Sequence, residues 1–449
     1  MRSEWSSRQL HFIGIGGAGM SGLALVCHDL GAAVTGSDRA DSSYMERLRA
    51  AGLAPAVGHD SANLPEGAAN LPREVEVVVS TAIGEDNPEL MLARERGLAV
   101  MHRGELLAEL CSEKRLIAIA GTHGKTTTTA MLAWALREIG ADPAFFVGGE
   151  VSGLGPDGTA ANAGWGGGEW VVAEADESDA SFLDLRPEIA VVTNIEMDHH
   201  SRWGSMAELR DAFTRFAAAA TGVVLPAGEG ARPESDGAME EFNASAPGPA
   251  VLELSVPGMH NVLNARAALA AASLAGFELD AVAAALTGFP GVARRLEAKG
   301  ERGGARVYDD YAHHPTEVRA ALEALRGMGP SRLIVAFQPH LYSRTKALAE
   351  QFGAALALAD EAVVLDVYPA REEPVGELVG VSGLDVARAA ADRMGGRRVV
   401  WAPSLEQAGA ALESRLSAGA VVVTVGAGDV FKVGEALLGD RAAAEDRAR

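Results

Sequence analysis

Three α/β domains built on parallel-rich sheets are the fold class predicted for this 449-residue sequence, and three observations predict it. Short apolar runs alternate with Ala- and Leu-rich stretches at helical spacing, the pattern of strands joined by crossover helices. Two apolar runs end in glycine turns that open helices, "IGIGGAGMSG" near the start and "IAIAGTHGKTTTTAM" from Ile117 to Met131. A Gly-Pro-Gly break in "GFPGVARR" (residues 288–295) interrupts a helical pattern, and the length allows two to four domains.

The runs expected as strands are 11–15, 33–36, 75–80, 116–120, 170–173 and 189–194, followed by 306–308, 333–337, 362–367, 399–401 and 420–425. Breaks near 103–106 and 288–292 divide the chain into 1–105, 106–292 and 293–449. The stretch Leu225–Ala250, rich in Gly, Pro, Ser and Glu, reads as a long surface loop of the middle domain. The charged tail after Asp440 reads as frayed.

Composition removes several classes of function. A formal charge of −22, from 39 basic and 61 acidic residues, argues against a nucleic-acid face, which needs a basic footprint. Cys27 and Cys111 are too few for a disulfide framework or a zinc knuckle. The N-terminus "MRSEWSSRQL" lacks a signal-peptide core and no window reaches transmembrane length, so no membrane insertion and a cytoplasmic location are expected.

In "GTHGKTTTT" (Gly121, Thr122, His123, Gly124, Lys125, Thr126, Thr127 and onward) the glycines allow a tight turn whose N–H groups point at phosphate oxygens. Lys125 can reach β- and γ-phosphates, the Thr126 hydroxyl can ligate Mg²⁺, and the helix that follows adds its N-terminal partial charge. The common loop is G-x-x-x-x-G-K-[ST]; here Ile119 stands at the first glycine's place. Two further strands run out into polar clusters, Glu174, Asp176, Glu177 and Asp179 in one, Asn194, Glu196, Asp198, His199 and His200 in the other. Carboxyl ends of parallel strands line one crevice, and hard oxygen ligands suit Mg²⁺.

The first glycine turn has G-x-G-x-x-G at Gly14, Gly16 and Gly19, with Asp38 closing the next strand. That pattern fits a dinucleotide, which would make the protein an NAD-linked oxidoreductase, and it fits equally the diphosphate of a nucleotide sugar. Ser80 and Thr81 end another strand of the same domain with hydroxyls. Two phosphate-binding turns in one chain suit an enzyme that activates a nucleotide-linked substrate with ATP.

With those residues in view, the sequence resembles the Mur ligase family, nearly end to end. The ordered motifs are "GIGGAGMSG", "GTHGKTTTTAM", "EADESDASF", "TNIEMDHH", "PGMHNVLNA", "DDYAHHPTEV", "FQPHLYSRT" and "DVYPAREEPVGELVGVSG". "FQPHLYSRT" resembles the alanine-adding branch. Several other ligases of this superfamily carry a carbamylated lysine after the "DH" motif, and none of Lys114, Lys125, Lys299, Lys346 and Lys432 lies there.

The resemblance implies a Rossmann-like N-terminal domain, a P-loop-type ATPase middle domain and a Rossmann-like C-terminal domain that receives an amino acid. It implies ATP at Gly121 to Thr127 with Asn261 and Asn264 (beside His260). In "GVARRLE", at the hinge into the third domain, one of Arg294 and Arg295 is expected to close over the phosphates, with Arg294 taken for the ATP set; a solvated basic pair is the alternative. It places a UDP-sugar at Gly16, Gly17, Ala18, Gly19, Met20, Asp38, Ser80 and Thr81. Metal, Mg²⁺ or Mn²⁺ in its stead, falls to Thr126, Glu174 and His199. Tyr311, His340 and Arg344 are implied for the amino acid, and Lys125, His313 and Arg344 for catalysis. The implied substrates are UDP-N-acetylmuramate and L-alanine, joined in a step of peptidoglycan biosynthesis that serves cell wall biogenesis, cell shape and division, by a monomer or homodimer. The alternatives are a recycling ligase that adds a preformed tripeptide, the NAD-linked oxidoreductase, and a nucleotide-binding regulator without catalysis.

Overall fold

The computed structural model describes residues 2–66, 74–198, 202–229, 237–370 and 372–439. Three sheets follow one another along the chain, and two compact units enclose them. The first unit is Met1–Ser255 with Val262–Pro290; the second is Val256–Asn261 with the chain from Gly291 onward.

The first sheet holds β1 (Gln9–Ile13), β2 (Ala33–Asp38), β3 (Ala56–Val57), β4 (Val75–Val79) and β5 (Ala99–His102). All its pairings are parallel, in the order β3-β2-β1-β4-β5. The strand order reverses at β1, and the crevice where ligands bind such sheets lies at that strand's carboxyl end. Every residue of β1 is buried, as expected of a strand covered on both faces.

The second sheet holds β6 (Arg115–Ala120), β7 (Ala144–Val151), β8 (Ala161–Gly164), β9 (Trp170–Glu174), β10 (Ile189–Val192), β11 (Gly222–Pro226) and β12 (Ala238–Phe242). Its order is β12-β11-β10-β6-β9-β7-β8, parallel except for β7 with β8. Here β6 is the central switch strand, and its end is the Gly121 turn. The reading of Leu225–Ala250 as a continuous loop is corrected: β11 runs into it, and β12 lies inside it as a parallel edge strand on β11. Paired on one side and carrying Glu240 and Glu241, such a strand lacks the apolar run that marks the central ones. Residues 230–236 and the tail from Asp440 lie outside the described residues.

One apolar core runs through both sheets of the first unit, from Leu10, Phe12 and Cys27 to Phe182, Phe213 and Leu225. The helix Ala18–Asp29 packs its small face on β7 and β8: a β-carbon on Gly22 would sit 2.8 Å from that of Ala163. Asn162 Nδ2 donates to the Ala18 carbonyl at 2.6 Å, and Arg47 pairs with Glu150. The glycine turn at the start of the chain is thus fixed to the middle sheet by side chains of that sheet.

The second unit's sheet holds β13 (Glu297–Arg302), β14 (Ala305–Asp310), β15 (Arg332–Phe337), β16 (Glu361–Val364), β17 (Arg398–Trp401) and β18 (Ala420–Val425). The order is β13-β14-β18-β15-β16-β17, with an antiparallel β13–β14 hairpin at one edge. Gly303 and Gly304 turn that hairpin with positive φ.

Candidate active site

The β6 turn reaches its shape through two left-handed glycines. Gly121 has φ 136°, and a β-carbon there would lie 2.0 Å from Thr193 Oγ1. Gly124 (φ 81°) is the N-cap of the helix Lys125–Glu138, and its β-carbon would lie 2.4 Å from Asn264 Oδ1. No side chain fits at either place. The turn is held from β10's end: Asn194 Oδ1 accepts from His123 N at 2.9 Å, and Thr193 and Asn194 both donate to the His123 carbonyl. Thr122 Oγ1 donates to Glu196 O, and the His123 ring meets Glu196 Oε2 at 2.9 Å.

Lys125 Nζ donates to the Gly121 carbonyl at 2.6 Å and lies 2.7 Å from Glu177, whose side chain is 2% exposed. Burial alone would depress the ammonium, but Glu177, Asp176 and Glu174 outweigh it and raise its pKa. Glu177 itself is pushed up to about 7, by burial first, against the pull of Lys125. Asp176, about a third of whose side chain is exposed, is held at about 2 by Lys125 and Arg103 against the cost of its partial desolvation. Neighbouring carboxyls driven in opposite directions are a mark of functional sites.

Thr126 Oγ1 donates to Glu174 Oε1 at 3.0 Å, while Gly148 N donates to Glu174 Oε2 at 2.8 Å. Hydroxyl and carboxylate oxygens at this spacing form the hard donor set that Mg²⁺ takes from protein beside a phosphate. His199 lies outside the described residues.

At β1's end Gly14 has φ 84° and Gly17 caps the helix Ala18–Asp29. Gly14 N and Ile15 N both donate to Ser37 O, and Gly16 N donates to Asp38 Oδ2 at 2.9 Å. Met20 is buried beneath this turn, Gly19 faces Arg103, and Ser80 and Thr81 sit on the loop after β4. Arg103 binds Asp176 at 2.8 Å and Asp179 at 3.1 Å, which ties the start of the helix Arg103–Ser112 to the loop after β9.

The second unit brings Tyr311, His313, His340 and Tyr368 into a row of ring contacts with centroids 5.5, 6.0 and 5.8 Å apart. Buried Arg344 approaches His340 Nδ1 at 3.4 Å, on a helix whose N-cap, Leu341, has a strained φ of 69°. His313 Nδ1 lies 3.1 Å from Tyr311 O, and His314 caps the helix Pro315–Gly327. Arg294 binds Asp309 and the Gly426 and Gly428 carbonyls, and it stacks on Tyr311 and Phe431. Arg295 has a looser ion pair, 3.8 Å from Glu317, and also overlies Tyr311. Asn261 donates to Pro257 O in the second unit, whereas Asn264 belongs to the first. Asp310 accepts from the Leu296 and Ala312 amides, and burial lifts its pKa to about 6.

Thr193, Gly148, Arg103 and Asp310 were not singled out from sequence. Asp310 and Thr193 had a signal, their places in "DDYAHHP" and "TNIEMDHH"; Gly148 acts through its backbone and Arg103 through partners far along the chain.

Three family models match the chain in order: the Mur ligase family catalytic domain over residues 9–115, the Mur ligase middle domain over 119–229, and the Mur ligase glutamate ligase domain over 294–428. The UDP-N-acetylmuramate–L-alanine ligase of Renibacterium salmoninarum is 46% identical, over 96% of this chain and 95% of its own. The crystal structure of the UDP-N-acetylmuramate–alanine ligase of Thermotoga maritima superposes with a TM-score of 0.80 at 29% identity, covering 97% of this chain and 99% of its own. A murein peptide ligase of Psychrobacter arcticus follows at 0.70 and 25%, covering 96% and 98%.

Proposed function

The chain belongs to the Mur ligase family, and we propose that it joins L-alanine to the lactyl carboxylate of UDP-N-acetylmuramate at the expense of ATP. The observation that carries this reading is the end-to-end likeness to alanine ligases, at 46% identity in sequence and 0.80 against 0.70 for a peptide ligase in structure. The three domains are read as 1–105, 106–292 and 293–449, and the reaction as a cytoplasmic step of peptidoglycan biosynthesis.

The carboxylate attacks the γ-phosphate, giving an acyl phosphate and ADP; the alanine amine then attacks the acyl carbon and phosphate leaves. The first step brings two anions together. At about 4 Å and an effective dielectric of 20, two unit charges repel by roughly 4 kcal/mol. Lys125 and the N-terminal end of the helix that starts at it offset that repulsion with charge already in place. Thr126 and Glu174 would hold Mg²⁺, which neutralises phosphate charge when bound. Gly16 to Met20, with Asp38, Ser80 and Thr81, would cradle the nucleotide sugar, and Asn261 and Asn264 the adenine side.

Of the arginine pair, Arg295 suits the phosphate role better, because Arg294 is anchored by Asp309 and two carbonyls. Arg344 would clamp the alanine carboxylate, beside His340 and Tyr311. A proton on His313 Nδ1, donated to Tyr311 O, leaves Nε2 as the basic nitrogen for the amine's proton.

Phosphate release with ATP, UDP-N-acetylmuramate and either L-alanine or the tripeptide tests this. L-alanine-dependent release is expected; release that ignores L-alanine, or that favours the tripeptide, defeats it.

A further inference from the structure

The N-terminal domain contains a buried carboxylate that none of the chemistry above uses. Glu89 sits in the first turn of the helix Pro88–Glu95, and its side chain is fully inaccessible. Five groups converge on it from three other segments. Ser37 Oγ donates at 2.7 and 2.8 Å from the end of β2, and His11 Nε2 lies at 2.8 Å from β1. The segment after β3 adds Asp60 N and Asn63 Nδ2, each at 3.1 Å, and His59 Nδ1 at 3.4 Å. His11 Nδ1 in turn meets Thr35 Oγ1 at 2.9 Å, and His59 Nδ1 meets Ser37 Oγ at the same distance.

These segments build the crevice at the carboxyl ends of the first sheet. Ser37, whose hydroxyl binds Glu89, uses its carbonyl to fix Gly14 N and Ile15 N of the glycine turn. Asp38, the next residue, holds Gly16 N with its side chain and Gly58 N with its carbonyl. The helix that carries Glu89 follows the Ser80–Thr81 loop, where Ile83 approaches Gly14: a β-carbon there would be 3.1 Å away. Three of these crevice segments are therefore tied to one carboxylate, directly or through Ser37, and the fourth, the Ser80–Thr81 loop, leads into the helix that carries it. Burying an ion is costly unless it is fully hydrogen-bonded, and this one is, so the arrangement has one tightly defined geometry.

We propose that Glu89 is a positioning residue for the nucleotide-sugar cradle: it fixes the relative placement of the glycine turn, the Asp38 corner, the 58–63 segment and the Ser80–Thr81 loop without touching the reacting atoms. The proposal rests on the reading of this domain as the UDP-sugar site.

Glu89→Gln keeps the shape but turns an NH₂ group toward donors, and Ser37→Ala removes one donor from the same network. With UDP-N-acetylmuramate, the KM of Glu89→Gln should rise at least tenfold and that of Ser37→Ala about threefold. The KM values for ATP and L-alanine, and kcat at saturation, should stay within about twofold to threefold. The Kd for UDP alone, measured by calorimetry, should weaken in parallel with the nucleotide-sugar KM. A purely structural role would lower the melting temperature and the active fraction while leaving every KM in place, and that result overturns the proposal. If Glu89→Gln does not fold, Ser37→Ala decides: unchanged UDP affinity in that folded variant overturns it. A wild-type chain that binds neither UDP nor UDP-N-acetylmuramate would instead overturn the functional reading, and this inference with it.

Discussion

Replacing Lys125 with methionine keeps an unbranched side chain, one atom shorter, and removes its charge. In the wild type the ammonium is 2.7 Å from the Glu177 carboxylate, which is 2% exposed. A cation about 4 Å from a phosphate charge is worth roughly 4 kcal/mol at an effective dielectric of 20, so turnover should fall about a thousandfold. Stability should respond differently, and with pH. The Glu177 carboxyl already titrates at about 7 beside Lys125, so at pH 6 the variant folds with Glu177 protonated and with little penalty. Above pH 7 the wild-type carboxyl ionises against the ammonium, whereas in the variant the folded state keeps a proton that the unfolded chain has released. A folded pKa above the unfolded one means stability lost as pH rises, about 1.4 kcal/mol per unit. The gap between variant and wild type should widen by about 2 kcal/mol from pH 7 to pH 8.5. Phosphate release at saturating substrate and urea unfolding at pH 6 and 8.5 measure both effects. More than a tenth of wild-type turnover, or a stability gap equal at both pH values, would refute the reasoning.

Three further outcomes are expected. Glu174→Gln, which halves the carboxylate facing Thr126, should cut turnover about a hundredfold or more and raise the Mg²⁺ concentration needed for half-maximal rate; an unchanged Mg²⁺ titration would remove Glu174 from the metal site. Arg344→Ala should raise the KM for L-alanine by about ten- to a hundredfold, the worth of one charge-assisted hydrogen bond, with the KM for ATP unaffected; equal shifts in both would count against a carboxylate clamp. Glu89 and Asp310 should give acid-unfolding slopes of opposite sign. At Glu89 burial is outweighed by hydrogen bonds from His11, Asn63 and Ser37, which hold it at about 2, so its contribution is present above pH 4.5 and lost as pH falls. At Asp310, raised by burial to about 6, the group's contribution is instead lost as pH climbs from 3.8 to 6. Urea titrations of Glu89→Gln and Asp310→Asn should each lack the slope of the group removed, and an unaltered slope would show that the group does not titrate as described.

Much of this was legible in the sequence because it resides in local pattern. The central strands β1, β6, β10 and β18 are predominantly apolar, and the two glycine turns follow β1 and β6 directly. Edge elements were harder to see. β12 pairs on one side only and β8 is four residues of "ANAG", too short and too small to register as apolar runs. The merging of the first two sheets over one core includes the close approach of Gly22 to Ala163, a relation between residues 141 positions apart that no window contains. Within the site, the residue types were visible but their states were not. Asp176 and Glu177 are adjacent acids in the sequence, and only burial together with the directions of Lys125 and Arg103 separates a carboxyl at about 2 from one at about 7. Arg294 and Arg295 look equivalent as letters; Asp309 makes them different.

The fit of Gly124 beneath Asn264 has a consequence for how the gene can vary. Any β-carbon at 124 collides with the amide oxygen at 264, and the left-handed backbone penalises the same replacement independently. Shortening the asparagine would relieve the collision but not the torsion, so no compensating second-site change rescues the first. In a saturation library the codon for 124 should therefore be intolerant in every genetic background, whatever residue stands at 264.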